Sequence, residues 1–338
     1  MFLTEANVLH YLLARRFTGL ESVVEGTYEV RNLSRRNRNY RVTCGAREYL
    51  VKQTGKWDYS GRSTIEQEAA LCRQARTDAR FEPLRCLGAE SYSYDPANSI
   101  LIFEFLPDDV PLPGARQRLL PETGRLAGHV MAQFHAAMRL EELASVYPME
   151  TPGYFAMAHW DSEDQEDVTE GQRELVRLVQ RHREFGPALE RAAAEWKPDT
   201  LIHGDWKVDN CLVAPGSAAM HVVDWELAGW GDATWDVATL LESWWCLGLR
   251  DEDENPRERI QPVLRAFLDA YSEARGLEKV EFQRKAMAFA AVRMLQDAWE
   301  SVQKSEAIEP LAVLLVQASH NLLMRPEWGA VQVLGNDA

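Results

Sequence analysis

The chain is short of the features that mark several protein classes. Its five cysteines, Cys44, Cys72, Cys86, Cys211 and Cys246, are scattered, odd in number and never spaced as C-x-x-C, which argues against both a disulfide framework and a zinc site. Basic residues are outnumbered: 37 Lys and Arg stand against 52 Asp and Glu, giving a net charge of −15. That is the wrong sign for a protein that must displace counterions from a nucleic-acid backbone, and it would steer a cationic partner towards the surface. No apolar run approaches the ~20 residues needed to span a bilayer, so no membrane partner is expected. The opening residues carry Glu5, Arg15 and Arg16 rather than an apolar stretch with a cleavage site, unlike a secretory signal. A cytoplasmic setting is the expectation. Internal repeats and low-complexity tracts are also lacking.

What is present is the composition of a folded protein, 46% hydrophobic and 26% charged, too apolar for disorder. At 338 residues it exceeds what one core usually serves, which favours two lobes. Thr4 is placed to cap a helix carrying Val8, Leu9, Leu12, Leu13 and Phe17 on one stripe. The period then changes to two, and residues 21–31, 38–44 and 47–53 read as an antiparallel meander. Residues 64–76 read as a helix, and 84–92 with 99–106 as two further strands. The Pro/Gly/Asp cluster Pro107–Gly114 breaks the strand pattern and is the best boundary, dividing the chain into lobes 1–106 and 107–338. Beyond it helical periodicity dominates, over 121–142, 169–194, 235–249, 256–275, 281–303 and 307–324. Residues 200–230 interrupt it with two short apolar runs, Cys211–Val213 and His221–Val223, that read as a hairpin.

The chemically loaded residues flank that hairpin. In Leu201-Ile202-His203-Gly204-Asp205-Trp206-Lys207-Val208-Asp209-Asn210 an Asp and an Asn stand five apart, and Asp224 follows fourteen residues later. Phosphoryl transfer needs the acceptor hydroxyl positioned by one carboxylate and Mg²⁺ held by an Asn and an Asp; these three residues supply that set. Asp205 is too weak a base to deprotonate an alcohol in the ground state, so its role would be to orient the hydroxyl and accept its proton late in the transfer.

The pattern His203-Gly204-Asp205 with Asn210, then Asp224-Trp225-Glu226, then Gly231-Asp232 with Asp236, resembles the aminoglycoside phosphotransferase and choline kinase family, whose signature is H-G-D-x-x-x-x-N, D-[FW]-E and G-D-x-x-x-D in that order. The resemblance implies an α+β, bilobal protein-kinase-like fold: a small N-lobe with an antiparallel sheet and a mainly helical C-lobe. It further implies ATP and Mg²⁺ as cofactors, Asp205 as the catalytic residue, Asn210 and Asp224 as magnesium ligands, and Asp236 as a brace for the catalytic loop. It places Lys52, on the third strand, against the nucleotide's α- and β-phosphates and in a pair with a helix glutamate. Glu66 and Glu68 are both in reach, with Glu68 better in register. The turn Ser34–Tyr40 occupies the position of the family's phosphate loop but holds no glycine; Arg35 and Arg36 would neutralise phosphate instead. By order along the chain, the backbone of Glu104 to Leu106 corresponds to the adenine-binding hinge. His203 reads as a loop-stabilising hydrogen-bonder rather than a base. Lys207 stands where protein kinases place a lysine against the transferred phosphate, with a plain surface charge as the equal alternative. Trp206, Trp225, Trp230 and Trp235 read as packing of the scaffold before stacking on a substrate, and His129 and His135 as core or surface residues.

The acceptor is less determined. A hydroxylated, cationic small molecule such as an aminoglycoside or amino alcohol agrees with the family and the acidity. The wording Arg38-Asn39-Tyr40-Arg41-Val42 through Tyr49–Gln53 is also similar to members associated with lanthipeptide or thioamitide biosynthesis, which would imply Ser or Thr of a precursor peptide as acceptor and a partner lyase for the following elimination. A third reading is a pseudokinase-like binding module, against which the joint retention of Lys52, Asp205, Asn210 and Asp224 speaks.

Overall fold

The computed structural model describes residues 1–34, 37–54, 64–88, 92–105, 110–111, 120–161, 168–213, 219–249 and 256–335. In chain order the first elements are α1 (Val8–Ala14), α2 (Glu21–Val24), β1 (Tyr28–Asn32), β2 (Arg38–Cys44), β3 (Arg47–Gln53), α3 (Thr64–Thr77), α4 (Glu82–Leu87), β4 (Tyr92–Asp95), β5 (Ile100–Glu104) and β6 (Val110–Pro111). There follow α5 (Pro121–Ala137), α6 (Leu143–Val146), α7 (Glu170–Arg181), α8 (Phe185–Ala194), β7 (Thr200–Ile202), β8 (Cys211–Val213), β9 (Met220–Val222), β10 (Gly229–Gly231), α9 (Ala233–Leu249), α10 (Pro256–Arg275), α11 (Lys279–Ser301), α12 (Pro310–Met324) and α13 (Pro326–Leu334). The chain divides into two compact units, one of Met1–Pro111 with Asn210–Ala228, the other of Leu112–Asp209 with Gly229–Ala338.

The first unit is built on a five-stranded antiparallel sheet in the order β1-β2-β3-β5-β4. Strand alternation sends successive side chains to opposite faces, and the two faces are sealed differently. Tyr40, Val42, Tyr49, Val51, Ile100 and Ile102 pack under Leu3 and the α1 residues Val8, Tyr11 and Leu12. Leu50, Leu101 and Phe103 meet Ile65 and Ala69 of α3. Lys52 shares the α3 face with Leu50, which turns its ammonium towards that helix. The β8–β9 hairpin belongs to this unit and pairs with β6 in a second, three-stranded sheet.

The second unit is mostly helical. Its two-stranded sheet pairs β7 with β10, setting Ile202 opposite Gly229 and Thr200 opposite Gly231. A Cβ on Gly231 would lie 2.5 Å from Ile202 Cδ1, so a larger residue there would require the Ile202 side chain to move. One strand exits into His203–Asp205 and the other into Asp232 at the start of α9; the short sheet thereby fixes this loop beside a helix N-terminus.

Several local expectations are corrected. Residues 21–24 form a helical turn, so the first strand begins at Tyr28. Residues 82–87 are helical, not the start of a strand over 84–92: Pro83 sits in the first turn, where it costs no hydrogen bond, and Leu84 and Leu87 are buried three apart. The opening helix is preceded by Asn7, not Thr4; Asn7 accepts from the Thr4 N–H through Oδ1 at 2.7 Å. The long run 169–194 is two helices broken at His182–Glu184, the first started by a reciprocal cap between Thr169 and Gln172, and α13 follows the run that ends at Met324.

Candidate active site

The first unit gathers one cation among carboxylates. Lys52 is 3% exposed and Glu68 1%, and the Lys52 ammonium donates to Glu68 Oε2 at 2.6 Å and also to Asp224 Oδ1. Glu68 is held from its other side, its Oε1 accepting the Trp225 N–H at 3.1 Å. Burial works against the Lys52 charge, but Glu68 first, then Asp224 and Glu226, outweigh it and hold its pKa above the ordinary lysine value. Asp224 adopts the left-handed conformation, φ 75°, a strained choice for a non-glycine residue at the end of the β8–β9 hairpin. At the hairpin's other foot Asn210 is buried, and its carbonyl accepts the Val223 N–H at 3.0 Å. Glu226 accepts from Asn37 Nδ2 at 2.6 Å. Glu68, Asp224 and Glu226 each bring a carboxylate oxygen within 4.8 Å of the others. An amide and carboxylates without nitrogen or sulfur ligands are the donors that Mg²⁺ or Ca²⁺ prefers, so the residues present fit a hard divalent cation.

The second unit gathers one carboxylate between two cations. Asp236 is fully buried and braces the loop before Asp205: its Oδ2 accepts the His203 N–H at 2.7 Å and its Oδ1 the Gly204 N–H at 2.9 Å. Gly204 has φ 81°, which glycine takes at little cost. His203 Nδ1 accepts the Asp205 N–H at 3.2 Å and the Trp235 indole donates to the Gly204 carbonyl at 3.1 Å. Asp236 is itself fixed by His135, whose Nε2 lies 3.1 Å from Oδ2 and whose Nδ1 lies 2.9 Å from the Tyr271 hydroxyl. On the Asp205 carboxylate, Lys207 Nζ donates to Oδ2 at 2.5 Å and Arg293 Nη2 to Oδ1 at 3.2 Å. Burial opposes the Lys207 charge, while the Asp205 carboxylate outweighs it and holds the lysine above its usual value.

The residues singled out in the sequence thus fall into two groups. Lys52, Glu68, Asn210 and Asp224 lie in the first unit, where the lysine is paired with Glu68; His203, Asp205, Lys207 and Asp236 lie in the second. Glu104 ends β5, and the next residue, Phe105, donates its N–H to the Glu48 carbonyl at 2.8 Å. Arg35, Arg36 and Leu106 lie outside the described residues. Trp206, Trp225 and Trp235 are buried. Sequence reasoning named Glu226 only as part of its motif, without a role, and missed Arg293 and Glu242. Arg293 had a signal: it is the one charge in the apolar stretch Ala286–Leu295, and a charge inside the apolar face of a helix has to be paired.

An antiparallel-sheet lobe, a mainly helical lobe and a buried lysine–glutamate pair define a phosphotransferase of protein-kinase-like fold. The chain belongs to the phosphotransferase enzyme family, whose model matches residues 28–303. Its structure is similar to that of a choline/ethanolamine kinase family protein from Mesorhizobium loti, with a TM-score of 0.62 and 17% identity over 99% of this chain and 100% of that one. It is also similar to an amicoumacin kinase in complex with AMP-PNP, Ca²⁺ and Ami, with a TM-score of 0.59 and 14% identity over 95% of each chain. At these identities the likeness is one of fold. A stretch of 124 residues is 29% identical to mouse acyl-CoA dehydrogenase family member 10, covering 32% of this chain and 11% of that protein; the chain matches only a small part of that relative's length. Among the described residues no helix is long and apolar enough to cross a membrane.

Proposed function

We propose that the protein transfers the γ-phosphate of ATP to a hydroxyl group of a small cationic molecule, of the amino alcohol or aminoglycoside type. The observation that carries this reading is the suspension of Asp205: two backbone N–H groups anchored on Asp236 fix the loop, and both carboxylate oxygens are engaged by side chains that carry charge. Phosphoryl transfer asks for positioning and charge neutralisation more than for covalent help. In this reading Lys52, kept protonated by Glu68, neutralises the nucleotide's α- and β-phosphates. Asn210 and Asp224, with Glu226 near, would hold Mg²⁺, which when bound would neutralise charge on the phosphates. Asp205 orients the acceptor hydroxyl and takes its proton as the acceptor oxygen bonds to phosphorus and the bond to the β-phosphate oxygen breaks, leaving a phosphate ester and ADP. Lys207, which holds Asp205 Oδ2 in this structure, turns to the transferred phosphate. The cationic character of the acceptor is supported by Asp297 and Glu300, one helical turn apart on the α11 face that carries Arg293, and by the net charge of −15. The likeness to a choline/ethanolamine kinase family protein agrees with it.

The test is mass spectrometry of products after incubation with Mg²⁺-ATP and a panel of amino alcohols, aminoglycosides and Ser/Thr-rich precursor peptides. A gain of one phosphate on an amine-bearing small molecule supports the proposal. Transfer to peptide alone, or to uncharged alcohols as readily as to cationic ones, overturns it.

A further inference from the structure

Asp205 is contacted by two cations that differ in kind. Lys207 is two residues away in the same loop, and its side chain is 31% exposed; Arg293 comes from the middle of α11 and its side chain is 3% exposed. Burying a guanidinium is costly unless it is paired and hydrogen-bonded. The pairing of Arg293 is uneven. Its Nη1 donates to Gln296 Oε1 at 2.5 Å, its Nη2 lies 3.2 Å from Asp205 Oδ1 but 3.8 Å from Asp297 Oδ1, and its face lies over the Trp235 ring at 5.5 Å. Its Nε finds no hydrogen-bond partner among the described residues. An arginine retained for packing alone would be expected to satisfy its own donors; this one leaves a buried N–H unmatched while its closest carboxylate is the one in the catalytic loop.

Glu242 of α9 explains why the guanidinium faces forward. It is 1% exposed, and burial first, then the charge of Asp297, push its carboxyl up to about 8. Near neutral pH it is therefore uncharged and accepts from Cys246 Sγ at 2.8 Å. A neutral Glu242 does not compete for the Arg293 charge, which is left to Asp205 and, at longer range, Asp297.

We propose that Arg293 is a positioning residue: it pins Asp205 Oδ1 from within α11, so that Oδ2 is the oxygen offered to the acceptor hydroxyl once Lys207 leaves it. The asymmetry in burial assigns the roles. The helix-borne arginine cannot swing out, whereas the loop lysine can, and when the nucleotide brings its terminal phosphate Lys207 has a stronger anion to follow. Oδ2 is then freed only when phosphate is present to be transferred. The proposal rests on the reading of Asp205 as the residue that orients the acceptor.

The test uses Mg²⁺-ATP with water as acceptor, which needs no knowledge of the natural substrate, and compares wild type, Asp205→Ala, Arg293→Met and Arg293→Lys for kcat, KM of ATP and Tm. A misaligned carboxylate costs about 10²-fold, so Arg293→Met is expected to lower kcat by about that factor with KM for ATP within about twofold, and Arg293→Lys, which keeps the charge without the planar fork, to recover part of the loss. Wild-type kcat in Arg293→Met beside a silent Asp205→Ala overturns the positioning role alone; wild-type kcat in Asp205→Ala overturns the underlying assignment instead. A loss in Arg293→Met that follows its fraction unfolded, with no recovery in Arg293→Lys, reduces Arg293 to a structural residue. If Arg293→Met does not fold, Arg293→Lys decides: an intermediate kcat at wild-type Tm is expected, and an unchanged kcat overturns the proposal.

Discussion

The two units solve opposite electrostatic problems with the same materials. In the first, a single buried cation, Lys52, lies between Glu68 and Asp224; in the second, a single carboxylate, Asp205, lies between Lys207 and Arg293. In each, one partner is sealed and one is reachable. Glu68 and Arg293 are almost fully buried, whereas Asp224 at 38% and Lys207 at 31% are open to a ligand. The buried partner is held in place by its surroundings, and the exposed one is the freer to move. A lysine among carboxylates suits the binding of an anion, and a carboxylate among cations is held in one orientation.

The comparison is broken most completely at Asp205, the one carboxylate that Lys207 and Arg293 hold between them. Asp205→Ala should lower kcat on the order of 10³-fold, the range for a positioned proton acceptor, while ATP binding measured by calorimetry stays near wild type; transfer at a tenth of the native rate would disqualify Asp205. Removing the central cation of the first unit should act on stability as well. In Lys52→Met the buried Glu68 loses its counter-charge and faces Asp224, and a buried ion left unpaired costs roughly 3–5 kcal/mol unless burial, which already pushes the Glu68 carboxyl upward, leaves it protonated. The expected outcome is a lower urea midpoint at pH 8 that recovers partly at pH 6, with KM for ATP raised; an unchanged midpoint at both pH values would show that the pair is not coupled to folding. A smaller effect is expected from Asp224→Asn, which keeps size and backbone but removes one charge: the Mg²⁺ concentration for half-maximal activity should rise about tenfold or more, and an unmoved magnesium curve would take Asp224 out of the metal site.

How much of this was legible depended on whether a residue's role lay in its neighbours along the chain or across the fold. His203-Gly204-Asp205 with Asn210, and Asp224 fourteen further on, stand out by spacing, and Lys52 carries its orientation in strand alternation, so the Lys52–Glu68 pair and the Asp236-held loop could be anticipated. The strands over 38–44 and 47–53 were also plain, because two period-two segments rich in Val, Tyr and Leu are separated by a short polar turn. Residues 82–87 misread because a six-residue helix shows less than two turns of periodicity, and Leu84 and Leu87 fit a strand as well as a helix at that length. Arg293 lies 88 residues from Asp205, beyond any local pattern; the trace it left is a charge misplaced in an apolar helix. Glu242 left the same trace, a lone acid among Val237–Leu241 and Trp244–Trp245 of α9, and without a partner in sequence neither could be assigned a purpose.

Glu242 gives the finest test of the contrast, because it decides how cationic the second unit's cluster is. Its folded-state value near 8 lies above the unfolded value of 4.5, so between those limits the folded protein holds a proton that the unfolded chain has released. Stability from this group is therefore full below about pH 4.5 and declines as pH rises towards 8, by at most about 1.4 kcal/mol per pH unit. Cys246 on its own helix and Asp297 and Arg293 on α11 are the groups that face it. Glu242→Gln keeps a neutral side chain of the same shape whose amide can still donate, and removes the proton from the balance. Urea midpoints of the two proteins at pH 6 and pH 8 should diverge, with the variant gaining on wild type by roughly 1–2 kcal/mol, less than the ideal slope because water and neighbouring groups relax around a newly charged acid. Parallel pH curves would mean that Glu242 is already ionised at pH 6; Arg293 would then be shared with a third carboxylate besides Asp205 and Asp297, and the inversion of charge between the two units would be weaker than the geometry indicates.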